Sequence, residues 1–292
     1  MVDKILTVNI FVISLKRSKD RRILIKKELD HLDMPFSFFN AIDGKLLKPS
    51  YQKKMMQLRL EAYRKVENLK GKIKVRHGDV GCALSHIKIY SHIVKKNIPL
   101  SLILEDDSEI NENLKKILED PLLVEFARGG GFEVLNLGCK RREGIYMPIL
   151  RFFGRRKIHN NQTIGKPARV IPGTSCYLLT LNGAQKLLKA SMPLRYGADQ
   201  LLANAEYFDI NVYATKTPIV AQKRFLGSTI QTGTRKKVAR KRKSFYKKII
   251  GFPRKIITLL KLDLFASQLT LRQYFDESFL ALEKLSMKEV NK

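Results

Sequence analysis

Apolar and polar positions alternate between two periods along the first two hundred residues. The run from Ile5 to Leu15 is apolar, broken only by Thr7, Asn9 and Ser14, and predicts a first β-strand. Ser18 then precedes a stretch in which Ile23, Leu24 and Ile25 give an apolar face, predicting a helix to about Leu32 with Ser18 as its cap. Phe36 to Phe39 predicts a short strand closed by the Asp43-Gly44 turn, and residues 50–70 predict a polar helix. From Asp79, expected as the cap, to Lys96, apolar residues fall on two sides of a helix: Val80, Ala83, Leu84, Ile87 and Val94 on one, Cys82, Ile89 and Ile93 on the other. Pro99 stops that helix, and Leu100 to Leu104 predict a buried strand ended by Glu105-Asp106-Asp107. Strands follow at Phe132–Gly138 and Val170–Thr180, helices at Asn182–Ala190 and from Asp199, and a strand pair broken by Pro218 at Ile210–Ala221. Strand alternating with helix predicts an α/β, Rossmann-like fold with a mainly parallel sheet. In such sheets ligands sit beyond the carboxyl ends of the strands.

Composition narrows the classes. The 292 residues carry 56 Lys+Arg against 27 Asp+Glu, a formal charge of +29, with 44% hydrophobic residues and no Trp. That apolar fraction excludes a wholly disordered chain. No apolar stretch is long enough to span a bilayer, and the start reads as a strand rather than a signal peptide. Cys82, Cys139 and Cys176 are far apart in apolar surroundings, as expected of reduced thiols in a reducing compartment. The charge is concentrated: no acid occurs between Asp209 and Asp263, and residues 235–261 hold twelve Lys/Arg interleaved with Phe, Tyr, Ile and Leu. Such a segment is a membrane-surface anchor, a nucleic-acid arm or a solvated tail. Its paired Ile and Leu favour an amphipathic helix on an anionic membrane surface, with no nucleic-acid role. The expected division is a catalytic domain over 1–232 and this basic segment over 233–292.

Several residues can carry chemistry. Glu105, Asp106 and Asp107 follow a buried strand directly. Carboxylates at a strand end suit Mg²⁺ or Mn²⁺, which takes its other ligands from water and substrate phosphates; the alternative is that Asp107 or Ser108 caps a helix. Asp199, after a Gly turn at a helix start, is either a general base or a cap. His86 is either a core histidine or a pocket residue. No phosphate-binding GxxxxGK[ST] loop, GxSxG elbow or GxGxxG fingerprint occurs.

Seven segments in order resemble glycosyltransferase family 25, the bacterial lipooligosaccharide and lipopolysaccharide galactosyltransferases. They are Phe11–Leu15 with Ser18, Asp20, Arg21 and Arg22; Asn40–Gly44; Gly78–His86; Leu102–Asp107; Gly173–Thr180 with Gly183-Ala184; Gly197–Asp199; and Pro218–Gln222 with Ser228. The resemblance implies a GT-A fold, a UDP-sugar donor (UDP-galactose first), inversion at the anomeric carbon and a lipid-linked oligosaccharide acceptor. It implies that Ser14, Leu15 and Arg21 hold the nucleotide, that Asp43 lies near base or ribose, and that His86 is a pocket residue. Glu105-Asp106-Asp107 would be the counterpart of the Asp-any-Asp motif, with Asp106 and Asp107 on a Mn²⁺ or Mg²⁺ and Glu105 and Asp106 near the diphosphate. Asp199 would be the base. A late metal ligand, commonly His in such folds, would be Gln222, a water, or absent. The expected location is cytoplasmic, peripheral on the membrane. A nucleic-acid-binding protein and an inactive glycosyltransferase-like fold are the alternatives.

Overall fold

The computed structural model describes residues 8–64, 75–138, 148, 150–168, 171, 173–194 and 196–223. The expected basic helix at 235–261, the Ser228 position, Cys139 and the first residues of the expected strand at 5–7 lie outside them. The strands in chain order are β1 (Asn9–Ser14), β2 (Ser37–Asn40), β3 (Leu100–Glu105), β4 (Ser108–Glu109), β5 (Val134–Asn136), β6 (Arg156–Ile158), β7 (Gln162–Gly165), β8 (Cys176–Thr180), β9 (Val212–Thr215) and β10 (Ala221–Gln222). The helices are α1 (Lys19–His31), α2 (Pro49–Arg64), α3 (His77–Lys95), α4 (Asn113–Leu118), α5 (Pro121–Arg128), α6 (Leu181–Ala190) and α7 (Ala198–Ala203).

Eight strands form one sheet in the order β2-β1-β3-β8-β5-β9-β7-β6, and β10 pairs with β4 in a second, two-stranded sheet. β1 lies parallel to both β2 and β3, and β5 parallel to β9. β8 runs antiparallel between β3 and β5, and β7 runs antiparallel to β9 and β6. All but those two strands point the same way, so the sheet is mainly parallel with two reversals.

The alternation of side chains across the strands builds two cores. Ile10 and Val12 of β1 and Leu102 and Leu104 of β3 face one side, where Ile25 and Leu29 of α1 and Leu114 and Ile117 of α4 cover them. Phe11, Ile13 and Ile103 face the other side, covered by Ile89, Tyr90 and Ile93 of α3 and by Ala184 and Leu187 of α6. This is a three-layer α/β arrangement with the carboxyl ends of β1 and β3 side by side, as the Ile13–Glu105 register shows.

Two local expectations are corrected. Ser18 ends the β1–α1 turn but its side chain makes no capping bond. Asp79 is not the cap of α3, which begins at His77; it lies in the first turn and its Oδ2 accepts the Arg76 N–H at 2.8 Å. The late strand pair is present on either side of Pro218, with β9 in the main sheet and β10 turned back to β4.

Candidate active site at the carboxyl ends of β1 and β3

β3 delivers its acids to the sheet edge because Leu100–Leu104 are wholly buried and the chain then turns at Asp106-Asp107. Asp106 and Asp107 are themselves buried. Asp106 Oδ2 accepts the Ser14 hydroxyl at 2.7 Å, and its Oδ1 accepts Arg21 Nη1 at 2.7 Å. The same Arg21 nitrogen is 3.4 Å from Asp107 Oδ2, which also accepts Gln222 Nε2 at 2.9 Å. The end of β1, the first turn of α1, the end of β3 and β10 therefore meet in one cluster. Arg21 is buried because the helix turn that carries it faces the sheet mouth, leaving its guanidinium between two carboxylates.

Asp107 is the less fully partnered member. Its Oδ1 is buried and has no hydrogen-bond partner among the described residues. Burial chiefly, then the charges of Glu105 and Asp106, push its carboxyl up to about 6, against the opposing pull of Gln222 and Arg21. Such an oxygen is a good ligand for a hard divalent cation, which would supply the missing charge. The residues present therefore fit a Mg²⁺ or Mn²⁺ ion. Asp107 offers the open oxygen, whereas each oxygen of Asp106 already accepts a hydrogen bond.

Glu105 lies apart from this pair. Its Oε1 accepts the Thr174 hydroxyl and is 3.9 Å from Nε2 of His86. His86 is buried, with Nδ1 2.8 Å from the Tyr177 hydroxyl, which in turn is 3.2 Å from that of Tyr90. Burial chiefly raises the phenols of Tyr177 and Tyr90, so both keep their protons. Cys82, His86 and Glu105 bring ligand atoms within 4.8 Å of one another. That sulfur-nitrogen set suits a softer cation than Mg²⁺.

The remaining expected residues are distributed as follows. Leu15 opens the β1–α1 loop, its carbonyl accepting the Ser18 N–H at 3.0 Å. Asp43 pairs with Arg17 Nε at 2.5 Å, a hydrogen bond that lowers its pKa below the usual carboxylate value. Asp199 is exposed in the first turn of α7, where its Oδ1 accepts the Gln200 N–H at 2.9 Å. Among the described residues, no hydrogen bond or ion pair joins Asp199 to the β3 acids.

Two supporting residues have roles that the sequence did not assign. Arg22 donates to the Ser14 carbonyl at 2.9 Å and to Asn40 Oδ1 at 2.7 Å, tying β1 to the end of β2. Lys223 donates its N–H to the Asp107 carbonyl at 2.7 Å and pairs through Nζ with Glu28 at 2.7 Å. Only the Arg22 position carries a signal, its place beside Arg21 in the β1–α1 segment.

The family profile described as glycosyltransferase family 25 (LPS biosynthesis protein) matches residues 7–202. Procollagen galactosyltransferase 1-B of Xenopus laevis is 29% identical over 201 residues, 64% of this chain and 29% of that protein. A probable inactive glycosyltransferase 25 family member 3 of Rattus norvegicus is 26% identical over 242 residues, 75% of this chain and 39% of its own length. The chain thus spans well under half of these relatives. Among solved structures, the inositol-1-phosphate CTP transferase from T. maritima aligns over 76% of this chain and 74% of its own, with 13% identity and a TM-score of 0.35. With the profile match covering most of the chain and its segments, the protein belongs to glycosyltransferase family 25.

Proposed function

We propose that this chain transfers a hexose, galactose from UDP-galactose in the first instance, with inversion, to a lipid-linked oligosaccharide of the lipopolysaccharide or lipooligosaccharide type. The observation that carries the reading is Asp107 Oδ1, a buried carboxylate oxygen at the mouth of the sheet without a hydrogen-bond partner among the described residues. The family's description as LPS biosynthesis proteins supports the acceptor class, and the galactosyltransferase name of the frog relative supports the sugar.

In this reading Asp107, with Asp106 beside it, holds Mn²⁺ or Mg²⁺; bound there, the ion acts as a Lewis acid toward the departing UDP. Ser14 and Arg21 fix the orientation of Asp106. Leu15 and Arg21 border the diphosphate, and the Arg17–Asp43 pair lies toward base or ribose. Asp199, exposed and at a helix start, takes the acceptor hydroxyl proton as the sugar is attacked. Glu105 faces the diphosphate, with His86 braced behind it by Tyr177. The basic segment 235–261 holds the enzyme on the anionic cytoplasmic face of the membrane.

The test measures UDP release across UDP-galactose, UDP-glucose and the N-acetylated donors, with Mn²⁺, Mg²⁺ or chelator. UDP-galactose turnover that needs a divalent ion and is lost in Asp107→Ala supports the reading. Full rate in chelator, or in that variant, removes the metal assignment. No turnover with any donor, together with tight salt-sensitive RNA or DNA binding, would favour the nucleic-acid alternative.

A further inference from the structure

The far edge of the sheet carries a feature unrelated to the carboxylate cluster. β6 and β7 form an antiparallel ribbon, prolonged by the pairing of Leu150 with Pro167 and by the Arg151 N–H bonded to the Lys166 carbonyl at 2.8 Å. Between these two paired stretches the chain bulges outward as Phe152-Phe153-Gly154-Arg155. Gly154 has φ +74°, which only a residue without a side chain adopts easily, so the turn has a defined shape. Arg155 braces it, donating Nε to the Arg151 carbonyl at 2.7 Å and Nη2 to the Leu150 carbonyl at 2.8 Å, with its guanidinium 5.6 Å from the Phe152 ring centre.

The brace holds two aromatic rings in water. Phe152 is 76% exposed and Phe153 69% exposed, and the rings meet edge to face at 5.3 Å. Arg155, Arg156 and Lys157, which follow at once, are exposed too. Adjacent exposed phenylalanines are unusual on a free surface. A protein partner would need an apolar pocket rimmed by acids set to this spacing, whereas an anionic bilayer offers both features anywhere on its surface: apolar rings enter the acyl boundary and bases meet the lipid phosphates.

We propose that the 151–157 turn is a wedge that inserts Phe152 and Phe153 into the interface of an anionic membrane, with Arg155, Arg156 and Lys157 at the headgroups. This contact is separate from the one proposed for residues 235–261 and does not depend on it.

The absence of Trp from the chain gives a direct test. In the 292-residue chain carrying F153W the introduced indole is the sole tryptophan, at an exposed site. The expected result is a blue shift, and quenching by acyl-brominated lipid, on adding phosphatidylcholine vesicles that contain phosphatidylglycerol, with little change on pure phosphatidylcholine. Replacing Phe152 and Phe153 by Ser should weaken binding to the anionic vesicles at least roughly tenfold, the scale expected from withdrawing two rings. Three results would overturn the proposal: vesicle binding with an indole that stays in water, no binding to anionic vesicles, or a blue shift that appears without lipid and grows with protein concentration. None of these readouts uses sugar transfer, so the proposed activity stands or falls separately.

Discussion

Asp107 is held charged at a cost to the fold. Its carboxyl titrates near pH 6, above its value in an unfolded chain, so the folded protein binds the proton more tightly and stability falls as pH rises from about 4 through 6. Above that window the ionised form costs on the order of 1–3 kcal/mol, a magnitude set by the displacement of its titration. Asp107→Asn keeps an oxygen for Gln222 and removes the charge. It is expected to raise Tm by roughly 2–10 °C at pH 7.5, with the gain vanishing near pH 4, while abolishing divalent binding measured by calorimetry. Unchanged Tm at pH 7.5 would mean the cluster is already compensated. Divalent affinity in the wild type should itself weaken as pH drops below about 6, as the ligand protonates. For Asp199, exposed and lightly engaged, Asn should leave UDP-sugar binding intact and lower transfer by at least roughly 100-fold, the usual share of a positioned base; undiminished turnover would reassign the base.

Among the elements, the contact between the Asn40–Gly44 loop and α3 shows why both segments need glycine where they meet. A methyl group on Gly81 would lie 2.6 Å from Gly44 N and 2.7 Å from the Ile42 carbonyl, and one on Gly44 would lie 1.8 Å from the His77 carbonyl. Backbone lies on backbone there, fixed by the Ile42 N–H to Ser85 Oγ bond at 2.8 Å. Gly81→Val is expected to destabilise by ~1–3 kcal/mol, the range for overpacking, and to loosen the Arg17–Asp43 pair, both readable by thermal melts and by UDP affinity. The strands and helices around the acids were legible because β1 and β3 are short, nearly unbroken apolar runs and α6 carries a clear apolar face. The acids themselves were legible because charge at the end of a buried strand is rare. The reversal of β8 was not, since a buried strand is apolar on both faces whichever way it runs. Nor was the β6–β7 ribbon, whose polar, basic residues lack a clear alternation, nor the role of Lys223, whose partners lie far off in sequence.

Over the whole molecule, the +29 charge opposes the acidic cluster at the site and is densest beyond residue 209. No helix among the described residues is long and apolar enough to cross a membrane. Truncation after Thr234 is expected to leave transfer to a soluble acceptor intact and to reduce binding to anionic vesicles, measured by sedimentation over a salt series; binding unaffected by the truncation would remove the role proposed for 235–261.

The carboxylate cluster is also assembled late. Ser14 reaches Asp106 across 92 residues, and Gln222 reaches Asp107 across 115. A ribosome making the chain from its amino end exposes the acids long before it supplies β8 to flank their strand or Gln222 to pair with Asp107. Until then three carboxylates stand together without the Gln222 amide or the Lys223 N–H that hold Asp107, so a nascent chain stalled short of residue 222 carries this cluster half-supported.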